Sequence, residues 1–463
     1  MSVAPQLHGR VNRFTEKHQS GQKYANAVNA HWVRLLKLLQ MDVQYDRCLG
    51  AELFTADGRC ILDFLSGYCV HNLGHNHPAI IDAIKDELDR RGPAMLQSHV
   101  PELAGKLAER LCSQAGGRMR KVFFCSSGSE GVEAAIKFAK AHTKREGLLY
   151  AQGAFHGLTC GALSLMGDPF WKQGFGSLLN DTQQIPFDNS TALEQQLRSR
   201  KYAALFLEPI QGEGGIRLPS QDYLGHASDL CKRYGTLLVL DEVQTGFFRT
   251  GKFLAGLHYS VDPDIVVLAK ALSGGLVPSG AVLMTDAIHD SVYGSLRRSL
   301  IHTSTFSENG LAMRVGLAVL DTLELEDVGM HASVVGTYLR RRLREVLSDF
   351  EIVEEIRGEG LFCGIVFRPP KAFALRLVYE AFTKIHPAMF GQVLVMRLFR
   401  DHGILTQICG NNFMVLKVAP PLIVTREQIE MFVDAIRTVV DLAQSPGTFW
   451  SEALGLAQRA ANI

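Results

Sequence analysis

The chain has 463 residues, 47% of them apolar and 21% charged, with a formal net charge of +1. That length exceeds one simple core and predicts a large domain with a smaller one attached, and the near-zero charge gives no electrostatic case for nucleic acid or an anionic membrane. Nine cysteines stand singly at 48, 60, 69, 112, 125, 160, 231, 363 and 409, a pattern that is neither a disulfide framework nor a zinc site and fits a reducing, cytoplasmic setting.

The opening residues, MSVAPQLHGRVNRFTEKHQSG, lack the apolar stretch of a signal peptide. No run reaches the roughly 18 apolar residues of a membrane span. Residues 22–41 place Trp32, Leu35, Leu36 and Leu39 on one stripe, which predicts an amphipathic helix with a packing or dimer-contact role. Residues 52–65 predict a hairpin turned at Ala56-Asp57-Gly58. His75 and His77 are spaced like metal ligands but lack a third ligand or an acidic partner nearby, so a turn-and-capping role is expected, and no metal. Residues 121–125 predict a strand, and SSGSEGVEAAIKFAKAH (126–142) a glycine-containing turn that opens a helix. Backbone N–H groups at such a helix start suit a dianionic phosphate. Further strands are expected at 148–152 and 203–207.

Two runs, 237–240 and 265–269, are short and uniformly apolar, as buried parallel strands are. Asp241 follows the first and Lys270 the second, so both would point into the crevice at the carboxyl ends of an open sheet. An acid and a lysine so placed suit pyridoxal phosphate, which takes a lysine amine for its Schiff base and a carboxylate to keep its pyridine nitrogen protonated. Taken alone, the two residues would better suit a buried ion pair that merely holds two strands together. Residues 279–285 predict one more strand, 336–350 a basic helix, and 371–400 two apolar helices broken at Pro387. A terminal helix closes the chain.

The segments DEVQTGFFRTG (241–251) and PDIVVLAKALSGG (263–275) closely resemble the signature of class III, or ω-type, pyridoxal-phosphate aminotransferases. The spacing of Asp241 and Lys270 resembles that of the ornithine, acetylornithine and putrescine branch, and the resemblance covers about residues 50–440. It implies an α/β protein of fold type I: a large domain with a mostly parallel sheet plus a small α/β domain. The expected division is an N-terminal segment at 1–65 belonging to the small domain or a dimer contact, a cofactor-binding domain at 66–330, and a small domain at 331–463 with 371–400 inserted. EIVEEIRGEGLFCGIVF (351–367) resembles that domain's helix–strand unit, and 404–425 its closing pair of strands.

The same resemblance implies roles. Lys270 would hold the cofactor and act as general base, with Asp241 on the ring nitrogen. Ser127, Gly128 and Ser129 would hold the phosphate, Phe155 would stack on the ring with His156 beside it, Glu208 would belong to the hydrogen-bond frame, and Gln244 would meet the ring hydroxyl. Thr305, in HTSTFSENGLAM (302–313), would reach the phosphate of the neighbouring subunit's cofactor, so the active sites would be shared across a homodimer, or a dimer of dimers. Tyr68 would touch substrate. Glu213 would be a switch glutamate that pairs with an arginine when a neutral-ended substrate is bound.

The chain departs from the family at two substrate positions. Arginine is the natural partner of a substrate carboxylate, yet Leu158 and Lys417 stand at the two arginine positions. Leu158 would leave an apolar wall, extended by the insert at 371–400. Lys417 keeps the charge without the fork, and Arg249 or Arg357 is the alternative carboxylate partner. The expected reaction is transamination between a terminal (ω) amine or diamine and an oxo acid or aldehyde. The alternatives are an ornithine- or acetylornithine-type aminotransferase, a same-fold racemase, aminomutase or decarboxylase, and a non-catalytic protein that kept the fold. A dinucleotide-binding dehydrogenase fits poorly, since no GxGxxG follows an early strand.

Overall fold

The computed structural model describes residues 19–461 except 97, 385 and 446. The leader-free reading of residues 1–18 lies outside them. An N-terminal hairpin of β1 (Tyr45–Leu49), β2 (Glu52–Thr55) and β3 (Cys60–Asp63) turns at the expected residues, with Thr55 N bonded to Arg59 O. A seven-stranded sheet follows from β4 (Lys121–Cys125), β5 (Gly147–Ala151), β6 (Thr182–Ile185), β7 (Tyr202–Leu207), β8 (Leu237–Asp241), β9 (Ile265–Leu268) and β10 (Gly280–Met284). Its order is β4-β10-β9-β8-β7-β5-β6. The pairs along β6, β5, β7, β8 and β9 are parallel, and β10 runs antiparallel to both β9 and β4.

Helices cover both faces of this sheet, which is why β5, β7, β8, β9 and β10 are buried at every position and read as unbroken apolar runs. The edge strands β4 and β6 keep exposed positions. On one face Phe206, Val239 and Val267 pack against Val132, Ala135 and Phe138 of the helix Gly128–Thr143. On the other, Leu205 and Leu238 meet Leu224, Ala227 and Cys231 of the helix Tyr223–Tyr234. Each buried Leu or Phe contributes roughly 1.5–3 kcal/mol. With β10 the one reversed strand, the carboxyl ends of β4, β5, β7, β8 and β9 open on a single edge. That edge carries the site.

The small domain holds β11 (Val353–Glu359), β12 (Phe362–Phe367), β13 (Ile404–Leu405), β14 (Gln407–Cys409) and β15 (Asn412–Val418). β11-β12-β15-β14 form an antiparallel sheet, while β13 runs parallel to β3 and so ties the N-terminal hairpin to this part of the chain. The segment 351–367 is thus an antiparallel strand pair rather than a helix–strand unit, and 404–425 supplies three strands rather than two. The basic helix begins earlier than expected and spans Val328–Leu347.

Two further expectations need correction. Residues 22–41 form two helices, Gln19–Ala27 and Ala30–Leu38, because the Asn29 side chain accepts from Trp32 N and starts a new helix. Of the stripe only Leu39 is buried; Trp32 is 46% exposed. The insert does form two helices, Phe373–Thr383 and Met389–His402, on either side of Pro387. Its buried apolar residues pack into the small-domain core, where Phe390 meets the rings of Phe367, Tyr379, Phe449 and Trp450, while Phe373 and Leu377 stay exposed; none of its described residues lines the cavity at the carboxyl edge of the large sheet. The last two lie in the terminal helix Thr448–Ala461. No described helix is long and apolar enough to cross a membrane.

Candidate active site

Asp241 is the last residue of β8, and Lys270 opens a single 3-10 turn after β9 with a left-handed φ of 44°. Both line one cavity of about 400 Å³ with Ser127, Gly128, Phe155 and His156. Asp241 is fixed at both oxygens: His156 Nδ1 lies 2.8 Å from Oδ2, and Val243 N donates to Oδ1 at 3.1 Å. Burial pulls the His156 pKa down, but the hydrogen bond and charge of Asp241 outweigh it and the net shift is upward. Glu208, at the end of β7, accepts from Phe155 N and Gly212 N and so pins the loop that carries Phe155. Burial pushes its carboxyl up to about 7, with Asp241 adding to the rise and His156 opposing it.

Burial lowers the Lys270 pKa, against the opposing pull of Cys69, Asp241 and Glu213. An amine so depressed is poised to work as a base. The helix Gly128–Thr143 points its N-terminus at the same cavity, with Ser127 as N-cap accepting from Glu130 N. N–H groups in a first turn have no intrahelical carbonyl to bond. Ser129 Oγ lies 2.7 Å from Thr159 Oγ1, and Gly157, with φ of 121°, leaves room for it; a Cβ there would come within 2.5 Å of that oxygen.

Glu213 and Lys417 form a fully buried ion pair. Burial opposes both charges, yet each partner's charge prevails: the Glu213 pKa is lowered and the Lys417 pKa raised. Gly410 N also donates to Glu213 at 2.8 Å, and Gln244 Nε2 at 3.3 Å. Lys417 Nζ sits 5.1 Å above the Tyr68 ring. Tyr68 belongs to a run of left-handed residues, Ser66, Gly67, Tyr68 and Cys69. Each non-glycine residue there costs about 1–2 kcal/mol. The Asp63 carboxylate offsets this by accepting from Leu65 N and Ser66 N, and Ser66 Oγ donates to Ala419 O.

The structure brings most of the residues singled out from the sequence to one cavity and places others outside it. Arg249 is no candidate for a substrate carboxylate: it is fully buried and donates to Leu361 O, Pro420 O, Ser66 Oγ and Asn72 Oδ1. Arg357 is spent on Gly215 O and Glu355. His75 pairs with Asp63 and His77 with Glu326, and the described residues contain no cluster able to hold a metal. Leu158 is 55% exposed and stands outside the cavity. Thr305 is also exposed and outside this chain's own cavity, beside Leu300 and Ser304. Phe155 does line the cavity, and Trp171 packs edge-to-face with both Phe155 and Phe170 at 5.5 Å. Only the GFFRTG motif flagged Arg249 beforehand; nothing local to the sequence flags Trp171.

Pyridoxal phosphate fits this constellation. Among the described residues His156 Nε2 and Gln244 Oε1 are buried without a partner, and both residues line the cavity. A helix N-terminus, the Asp241 carboxylate and the Lys270 amine surround the same space.

The family model for class-III aminotransferases matches residues 37–440. The chain is 39% identical over 450 residues to the aminotransferase PigE of a Serratia species, covering 90% of this chain and 53% of PigE, so it spans about half of that relative's length. It is 40% identical over 395 residues to acetylornithine aminotransferase of Mycolicibacterium smegmatis (85% of this chain, 92% of the relative). It is 36% identical over 385 residues to putrescine aminotransferase of Pectobacterium atrosepticum (81% and 77%). Among solved structures, ornithine aminotransferase from Toxoplasma gondii, which carries PLP at partial occupancy, superposes with a TM-score of 0.77 at 28% identity, covering 93% of this chain and 98% of that one.

Proposed function

This chain belongs to the class-III aminotransferases, and from that premise we propose that it moves an amino group between a terminal (ω) amine or diamine and an oxo acid or aldehyde. It is a pyridoxal-phosphate enzyme of fold type I. The observation that carries the substrate reading is the closed Glu213–Lys417 pair: the cation available to a substrate carboxylate is already neutralised, and no arginine among the described residues lines the cavity. A carboxylate brought in would be left without a free partner, at a cost of several kcal/mol. A far end without a carboxylate does not call on that cation.

Bound here, the cofactor supplies an electron-accepting ring that stabilises negative charge on the amine-bearing carbon. Lys270 would hold it, and once released by the incoming amine its Nζ would take the proton from that carbon and return one. Asp241 would keep positive charge at the ring nitrogen, with His156 orienting Asp241 through Nδ1. Gly128 and Ser129 would offer N–H groups to the phosphate, and Phe155, its loop fixed by Glu208, would stack on the ring.

The measurement that decides substrate is kcat/KM for putrescine, an alkyl amine, ornithine and acetylornithine. The parent protein is expected to prefer the first two. Leu158→Arg would set a guanidinium at the mouth and shift preference toward ornithine by roughly tenfold or more. A parent protein that already prefers ornithine or acetylornithine by a wide margin overturns the reading in favour of the amino-acid branch. A racemase or aminomutase is separated by spectra: donor alone should convert a transaminase to its pyridoxamine form.

The proposed active unit is a homodimer in the cytoplasm. Nine free cysteines support the compartment, and exposed Leu300 and Phe306 lie beside Thr305, where a second copy would cover them. If Thr305 serves the partner's site, mixing Lys270→Ala chains with Thr305→Ala chains yields hybrids in which one site carries both lesions and the other neither. Activity should return in part on mixing. Demonstrated subunit exchange with no recovery places Thr305 outside the neighbouring site.

A further inference from the structure

We propose that Trp171, locked in place by Asn411, is the specificity-determining wall for the far end of the substrate. This deepens the amine reading above and rests on it. Three loops meet at the hairpin turn between β14 and β15. Gly410 N and Asn411 N donate to Glu213, at Oε2 (2.8 Å) and at the main-chain oxygen (2.9 Å). The Asn411 side chain accepts from Trp171 Nε1 at 2.7 Å and donates to the carbonyls of Gly153 and Ala154 at 3.1 and 3.2 Å. One small-domain side chain thus fixes both the indole and the loop that ends in Phe155.

The position of the indole follows from two contacts. Its ring stands edge-on to Phe155, 5.5 Å away, and Phe155 lines the cavity. Its benzo edge lies beside Gly410: a Cβ there would be 3.5 Å from Trp171 Cζ2 and 3.1 Å from Glu213 Oε2. Trp171 therefore spans the gap between the ring-facing Phe155 and the Glu213–Lys417 pair. A flat apolar surface next to a self-neutralised ion pair favours an aliphatic chain with an uncharged end. Asn411 is a positioning residue, because it meets the site only through Trp171, Glu213 and the Phe155 loop. Without it the indole loses its acceptor, two carbonyls lose a donor, and the wall can swing away.

The test uses the cofactor-loaded enzyme and a series of straight-chain primary amines from butylamine to octylamine. In the parent, kcat/KM should rise about two- to fourfold per methylene, as expected for chain carbons buried on an apolar wall. Trp171→Ala and Asn411→Ala should both flatten that rise, with octylamine losing far more than butylamine. Trp171→Phe, which keeps an aromatic face, should retain part of the slope. Octylamine should also quench tryptophan emission in the parent and fail to do so in Trp171→Phe, a readout independent of turnover. If the parent shows no chain-length dependence, the apolar-donor reading falls and this inference with it. If the parent shows the slope and both alanine variants keep it, whatever their melting temperatures, Trp171 and Asn411 are structural and only this inference is overturned.

Discussion

Lys270→Ala is expected to lower transamination by about four to six orders of magnitude, the loss seen when a group that both bonds covalently and moves the proton is removed. The visible band of the lysine-bound cofactor should vanish with it. The fold should survive, and the reason is electrostatic. Lys270 is half-buried at the cavity wall and burial lowers its pKa, so between its folded and unfolded pKa values the unfolded chain binds more protons than the native one. Native stability therefore rises with pH through that window, and the parent pays for a buried amine at neutral pH. The alanine variant lacks this term, so its cofactor-free form should melt no lower than the cofactor-free parent and should lose that part of the pH dependence. Turnover in Lys270→Ala near the parent's would sink the assignment of the lysine.

The parts of the site legible in the sequence share one property: their placement is decided locally. A strand covered on both faces must be apolar at every position, so 237–240 and 265–269 announce themselves, and the ionisable residue after each must emerge at the sheet edge. The helix start proposed for the phosphate is equally local, since Ser127 caps the helix that follows it by accepting from Glu130 N. What the sequence hides is decided by distant partners. The left-handed run at 66–69 contains one glycine, and it is held from outside: Asp63 accepts from Leu65 N and Ser66 N at its start, and Ala419, 353 residues away, accepts from Ser66 Oγ. Trp171 and Asn411 are 240 residues apart. For 371–400, periodicity and Pro387 give two helices correctly but cannot say which surface they cover; the aromatic rings of Phe449 and Trp450 answer that. The break at Asn29 was readable in principle, because asparagine before an apolar-periodic stretch is a strong helix start.

Arg249 illustrates how a motif residue can be prominent for an unforeseen reason. A buried guanidinium near a substrate pocket invites assignment to a carboxylate. Its donors instead hold the main chain at Leu361 and Pro420 and the side chains of Ser66 and Asn72. It joins the turn bearing Tyr68 to the strand and loop leading into and out of the small domain. The substrate side of the pocket is thereby left with Lys417 as its cation, and Lys417 is already paired.

Asp241→Asn keeps the size of the side chain and removes its charge, and is expected to lower kcat roughly a hundred- to a thousandfold, or ~2.7–4 kcal/mol of barrier, with the cofactor still bound. Two consequences in the protein itself follow from the same change. His156 has a net upward shift only because Asp241 outweighs burial. With asparagine in its place burial acts unopposed by that charge, and the imidazole pKa should fall below the ordinary histidine value. The sign for stability is fixed by this shift. In the parent the raised histidine contributes stability that is fully present below the unfolded pKa and is lost as pH rises through the folded one; in Asp241→Asn that contribution disappears. Glu208 should move as well, since Asp241 adds to the rise that burial gives its carboxyl, so its pKa should drop from about 7. Following the His156 ring by NMR across pH, beside steady-state kinetics, separates the outcomes. A rate loss with a lowered imidazole pKa supports the charge relay from His156 through Asp241 to the ring nitrogen. An unchanged kcat would make Asp241 a strand-end anchor for His156 and Val243 and nothing more.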